Sequence, residues 1–281
     1  MALFDTLKAL GLANLEDEIA RELEREEEEK KAKEEVPKEE ITEIDYLYRK
    51  KYECPLCLST IEQPTVKHAK LRIKGHDWDL RPVYKHIDYN KYDVIYCRKC
   101  GYAVVSRYYG GLARPHKEML RNMLVPKHKP LAKVDMLIDY DNAIMRYTMA
   151  WANALCRRAK DSEKGYICLR MAWLYRGMQE EACESGKPDK DMLKLWKEKE
   201  NGYLDEARKL FVAARQQEKP PIAGMDEVTF DFLLASLMRH FGEYNDAIQL
   251  LYSIITSKSA TSTQKDKARN SLMEVKDLMQ R

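Results

Sequence analysis

From residue 134 onward, apolar side chains recur every three to four positions, the period of a helix with one buried face. Ala143, Tyr147, Ala150, Trp151, Ala154 and Leu155 share one such face, and Leu169, Ala172, Trp173 and Arg176 lie on the next helix. Leu204, Ala207, Leu210, Phe211 and Ala214 mark another, and further helices are predicted over residues 230–241, 247–255 and 265–279. Breaks in the pattern place turns at residues 161–165, 186–188 and 219–224 and at Gly242. Within this region residues 230–254 fit one tetratricopeptide-like unit. Leu234, Ala235 and Met238 suit its first helix, Gly242 and Tyr244 the turn, and Ala247, Leu251 and Ile254 the second helix. The small side chains of Ala235 and Ala247 let two helices approach closely. A looser unit runs over residues 165–179 and 204–214, with residues 140–158 as the helix before it. The expectation is a stack of tetratricopeptide-like antiparallel helix pairs whose concave face takes a protein partner.

The first half reads differently. Residues 1–15 carry Leu3, Phe4, Leu7, Leu10 and Leu12 at helical spacing, a short amphipathic start expected to dock on the body of the protein. Residues 16–40 are a charge-dense run with no apolar face, a solvated helix or tether that Pro37 should end. Between 46 and 110, β-branched and tyrosine residues alternate in short stretches at 65–73, 92–96 and 102–108, which predict short strands. Residues 112–133, with Pro115, Pro126 and Pro130, read as a short helix followed by a linker.

Charge sharpens these divisions. Residues 16–45 hold 15 acidic and 6 basic side chains, whereas residues 46–133 hold 19 basic and 7 acidic ones. The chain thus divides into an acidic arm (1–45), a basic tyrosine-rich module with its linker (46–133) and a charge-balanced helical domain (134–281). The neighbouring opposite charges make the arm a candidate cover for the basic module. No apolar run approaches the roughly 20 residues needed to cross a bilayer, and residues 1–15 lack the charge and apolar core of a signal peptide. A cytoplasmic location follows as an expectation.

Four of the seven cysteines form two pairs, Cys54-Pro-Leu-Cys57 and Cys97-Arg-Lys-Cys100-Gly101. A two-residue spacing lets both sulfurs of a pair reach one ion, and four thiolates suit zinc in a closed, structural tetrahedron. Redox pairs or an iron site are the competing uses of such thiols. Gly101 supplies the positive φ usual after the second cysteine of a knuckle, while Leu58 stands at that place in the first. The segment between the pairs contains His68, His76, Asp77, Asp79 and His86. Asp77, Asp79 and Arg81 read best as capping and salt-bridging residues of a tight turn, and a catalytic site built on the two aspartates is the sharper alternative. No Gly-rich phosphate loop, His-Glu-x-x-His pair or nucleophile elbow occurs, so neither enzymatic activity nor a small-molecule substrate is expected.

Ten of the 17 tyrosines fall in residues 46–133, among the basic side chains. Lys70, Arg72, Lys74, Arg98, Lys99 and Arg107 are the candidates for contacting a polyanion there, and single-stranded nucleic acid would use such charges with aromatic platforms.

Several of these motifs together resemble a bacterial family known as domain of unknown function 2225. The likeness is carried by Tyr52-x-Cys54-Pro55-x-Cys57, Lys70-Leu71-Arg72, Asp77-x-Asp79-Leu80-Arg81-Pro82-x-Tyr84 and Lys91-Tyr92-Asp93-Val94. It continues through Cys97-x-x-Cys100-Gly101-Tyr102-Ala103, Ala172-Trp173-Leu174-Tyr175-Arg176, Met225-Asp226-Glu227 and Gly242-Glu243-Tyr244-x-x-Ala247-Ile248. It spans about residues 46–280 and leaves out the acidic arm. The resemblance implies a cysteine-rich module fused to tetratricopeptide-like helices and implies no activity, substrate or partner. The expected fold is therefore mostly α with a small β-containing, zinc-ribbon-like module. The expected function is a non-enzymatic adaptor that binds protein through residues 134–281, with nucleic-acid binding by the basic zinc face as the alternative.

Overall fold

The computed structural model describes residues 19, 21–27, 41–186 and 189–280. The amphipathic start at residues 1–15 and most of the charged run lie outside the described residues. Of that run, residues 21–27 are helical and exposed, with Arg25 paired to Glu22 at 3.4 Å.

Residues 42–281 form one compact unit, so the boundary expected at 133/134 falls inside it. Three short antiparallel hairpins precede the helices: β1 (Leu47–Glu53) with β2 (Thr60–Val66), β3 (Ile73–His76) with β4 (Pro82–Tyr84), and β5 (Val94–Tyr96) with β6 (Ala103–Val105). The strand expected over residues 65–73 is interrupted. β2 ends at Val66, a 3-10 turn follows at His68–Lys70, and β3 starts at Ile73.

The helices of this unit are α1 (Arg114–Met123), α2 (Tyr140–Cys156), α3 (Asp161–Glu184), α4 (Lys190–Gln217), α5 (Glu227–His240), α6 (Tyr244–Thr256) and α7 (Ser262–Met279). Four of the seven starts carry a side-chain cap. Asp139, Asp189, Asp226 and Thr261 each accept a hydrogen bond from an unsatisfied first-turn amide. Consecutive helices pack on one another, most extensively α3 on α4 and α5 on α6. α3 runs through the middle, and Tyr166 to Leu174 are buried without a break. The turn expected at residues 161–165 is instead the first turn of α3, and the chain reverses just before it, at Arg158, with φ 51°. Gly165 is a packing glycine. A Cβ there would lie 2.8 Å from the Phe211 ring of α4.

The β5–β6 hairpin links the two cores. Val94, Tyr96, Ala103 and Val105 face the main core with Tyr147, Leu169, Phe211 and Leu234. Ile95 and Val104 face a second core containing Cys54, Leu56, Cys97, Cys100 and Leu120 of α1. The two-residue alternation of a strand thus places one hairpin between the cysteines and the helices. At its start Asp93 receives a hydrogen bond from buried Arg170 of α3 at 2.6 Å.

Candidate metal centre

Each knuckle joins the strands of one hairpin, and the two have the same backbone design. The amides of Leu58 and Gly101 donate to the carbonyls of Cys54 and Cys97, both at 2.9 Å. The amides of Cys54 and Cys97 donate in turn to Ser59 and Tyr102, at 2.9 and 2.8 Å. Closing such a turn needs a left-handed residue after the second cysteine, and both places have one, with φ 77° at Gly101 and 60° at Leu58. Leu58 therefore adopts the conformation glycine would supply, with its side chain 70% exposed.

The hairpins bring all four predicted cysteines together, and their sulfurs lie within 4.8 Å of one another. Cys54 and Cys100 are 3.6 Å apart, and Cys57 and Cys97 3.7 Å. Four sulfurs bound at about 2.3 Å to one zinc stand about 3.8 Å from each other in a regular tetrahedron. The cluster could hold a metal ion such as zinc, and its donor set and spacing fit one. Cys54, Cys97 and Cys100 are buried and Cys57 is half-buried. Four thiols this close cannot ionise independently. Hydrogen bonds from Cys100, Cys54 and Ser59 draw the Cys97 thiol strongly toward the thiolate, while contact with Cys54 and Cys97 pushes Cys100 up.

Four supporting side chains, Ser59, Asn153, His128 and Arg121, carry no motif in the sequence that marks them. The Ser59 hydroxyl sits 2.9 Å from Cys57 Sγ and 3.6 Å from Cys97 Sγ, so its proton can serve either sulfur. Asn153 of α2, fully buried, donates to the Gly101 carbonyl at 2.9 Å. The His128 ring covers Gly101, with Nε2 3.0 Å from the Arg98 carbonyl oxygen. From α1, Arg121 donates to the Leu56 carbonyl at 3.2 Å, so both knuckles are held from behind. Ser59 comes nearest to a local signal, as a hydroxyl two residues past a knuckle cysteine. Asn153, His128 and Arg121 have none, because their approach depends on tertiary packing.

The Asp77–Arg81 turn between β3 and β4 is built into an ion-pair network. Arg176 of α3 donates to Asp77 at 2.7 Å and to both carboxylate oxygens of Asp79 at 2.9 and 2.6 Å. It also donates to buried Glu200 of α4 at 2.8 Å. Trp173 Nε1 completes the Asp79 carboxylate at 2.9 Å, and Arg81 pairs with Asp77 at 2.5 Å and with Glu180. Burial pushes the Asp77 carboxyl up, but Arg176 and Arg81 outweigh it and hold the group below its ordinary range. A general acid at neutral pH needs the opposite shift.

The six candidate polyanion contacts are divided among separate segments. Lys70 and Arg72 lie at and just after the 3-10 turn, and Lys74 is on β3 beside a polar cleft that also contains Glu180, Glu181 and Glu184. Arg98 and Lys99 are exposed on the second knuckle, with Arg98 Nε donating to the Leu131 carbonyl at 3.0 Å. Arg107 is engaged internally, donating to the Ala223 carbonyl and lying 4.2 Å over the Tyr166 ring.

A groove of about 570 Å³ opens between α2, α3 and α4, with Trp151, Met171, Leu195 and Tyr203 on its walls and Glu198 and Lys199 at its edge. No helix among the described residues is long and apolar enough to cross a membrane.

A family model described as "Uncharacterized protein conserved in bacteria" matches residues 47–279. No curated protein and no solved structure matches the chain.

Proposed function

The chain belongs to the bacterial DUF2225 family, and we propose that it is a non-enzymatic adaptor, folded around one structural zinc ion, that binds another protein through its helices. Cys54, Cys57, Cys97 and Cys100 are the zinc ligands in this reading, and Ser59, Asn153 and His128 hold the knuckles in place. Bound zinc would cross-link two turns separated by 39 residues and add its binding free energy to folding. With four protein ligands no position stays open for water, so the ion has no catalytic part.

The groove between α2, α3 and α4 carries the adaptor half of the proposal. Met171, buried in the main core, forms its floor, Trp151 and Tyr203 pack against that core beside it, and Leu195 is 44% exposed. Such a surface suits a peptide or helix with apolar anchors. The tetratricopeptide-like reading of α5 and α6 agrees with this use. Gly242 turns the chain with φ 78°, and the buried small residues Ala235 and Ala247 bring the helices close. Thiol-rich metal sites belong in a reducing compartment, so we place the protein in the cytoplasm.

A tagged pull-down from bacterial lysate, split into nuclease-treated and untreated halves, tests the proposal when run beside Leu195→Glu. The expected partner survives nuclease and is lost from the variant, whose circular dichroism stays that of the parent. Partners that vanish with nuclease and ignore Leu195→Glu would overturn the adaptor reading.

A further inference from the structure

A partly open cleft of about 250 Å³ lies beside the first hairpin and belongs neither to the metal centre nor to the helical groove. On β1 the residues Tyr48, Lys50 and Tyr52 share one face, opposite Thr65, Gln63 and Ile61 of β2. Tyr89 and Tyr92, from the 3-10 turn before β5, and Tyr109, beyond β6, supply other walls. Three of these rings are pinned by their hydroxyls. Tyr89 donates to Asp93 at 3.0 Å, Tyr92 to Glu43 at 2.9 Å and Tyr109 to the Glu53 carbonyl at 2.7 Å. Tyr52 meets Tyr109 edge to face, with centroids 5.3 Å apart.

The polar groups are as selective as the rings. Asp93, a carboxylate on the wall, is neutralised by Arg170. Lys50 lies 4.9 Å from the Tyr52 centroid and enters no salt bridge among the described residues. His68 stands at the rim, 5.5 Å from Tyr89. The Thr65 hydroxyl is buried with no hydrogen-bond partner, and its cross-strand neighbour is Tyr48, an exposed ring. A buried hydroxyl without a partner is destabilising unless something else supplies one.

We propose that this cleft accepts one base of a single-stranded nucleic acid. Below the roughly 300 Å³ of a drug-sized site, the space fits a single ring system. Tyr48, exposed at the cleft, offers the stacking face beside the pinned Tyr89 and Tyr109, the Thr65 hydroxyl can donate to or accept from a base edge, and Lys50 meets the adjoining phosphate. The proposal does not depend on the helical groove, and it moves the nucleic-acid contact from the second knuckle to the first hairpin.

The test uses the zinc-loaded full chain and a short fluorescein-labelled oligothymidylate, read by fluorescence anisotropy over a range of salt, with thymidine monophosphate as competitor. The oligonucleotide should bind. Tyr48→Ala should weaken it about tenfold or more, as loss of a stacked base does. Lys50→Gln should reduce the salt slope by about one. Thr65→Val should weaken binding several-fold while raising the melting temperature, because the orphan hydroxyl is gone. Absence of binding at low salt, or affinity unchanged in both Tyr48→Ala and Thr65→Val, would overturn the proposal. So would a mononucleotide that binds as tightly as the strand. Tyr48 is 40% exposed, so its variant keeps the test decisive if Thr65→Val folds poorly.

Discussion

Asn153 donates from Nδ2 to the carbonyl oxygen of Gly101 at 2.9 Å. One side chain thus joins the last turn of α2 to the residue that closes the second knuckle. The same Nδ2 donates to the Met149 carbonyl of its own helix at 2.7 Å, which fixes its orientation. Asn153→Ala should destabilise the fold by about 1–3 kcal/mol, since the buried Gly101 carbonyl loses its donor. Zinc affinity should fall about tenfold or more, as when a supporting group outside the ligands is removed. Urea melts and zinc competition with a chelating dye check both effects.

The matched knuckles predict opposite responses to glycine chemistry. Leu58 holds a left-handed backbone that disfavours a side chain by about 1–2 kcal/mol, while glycine has an entropic penalty of about 0.5–1 kcal/mol. Leu58→Gly should therefore stabilise the protein by up to about 1 kcal/mol. Gly101→Ala should destabilise it by more than this, because a Cβ would stand 2.7 Å from the His128 ring as well. Chemical denaturation of the two variants, with zinc in excess, reads the difference.

Arg176 is the common partner of Asp77, Asp79 and Glu200. Arg176→Met leaves buried Asp79 without its counter-charge, and Asp77 and Glu200 with Arg81 and Lys197 alone, and should cost about 3–5 kcal/mol. The effect should appear in thermal and urea unfolding with one zinc per chain retained, because the network does not touch the cysteines.

The same pairs set an acid limit. Burial pushes the Glu200 carboxyl up, but Arg176 and Lys197 outweigh it, and Asp77 behaves likewise with Arg176 and Arg81. Both folded values lie below the ordinary carboxylate values near 4. Their stabilisation is complete above the unfolded value and is lost as pH falls through the folded one. Parent protein should hold its melting temperature between about pH 7 and 5 and lose it below about pH 4. Arg176→Met should lose less over that acid range, while zinc release follows the same course in both. An equal acid-dependent loss in both proteins would count against the pairing.

What could be read in advance follows from how local each signal is. The four clustered cysteines declare themselves by spacing within four residues, and the helical half by a period repeated over more than a hundred positions. Gly165 misled because a glycine read alone suggests a turn, whereas here it admits the Phe211 ring between helices. The start of α4 was missed because residues 190–199 are mostly exposed and carry little apolar rhythm. β5 and β6 fall within the strands expected over residues 92–96 and 102–108, although their two faces enter different cores and no alternation between apolar and polar residues marks them. Asn153, His128 and the pairing of Asp79 with Arg176 depend on contacts across 30 to 97 residues, and no pattern along the chain announces them.

The metal content of the natively purified chain, measured by elemental analysis under reducing conditions beside Cys97→Ser, tests the central claim most directly. The account predicts one zinc per parent chain and none in the variant, whose β5–β6 hairpin and second core then unfold. A parent chain that is folded and free of metal, or a Cys97→Ser variant that retains full zinc, would contradict it.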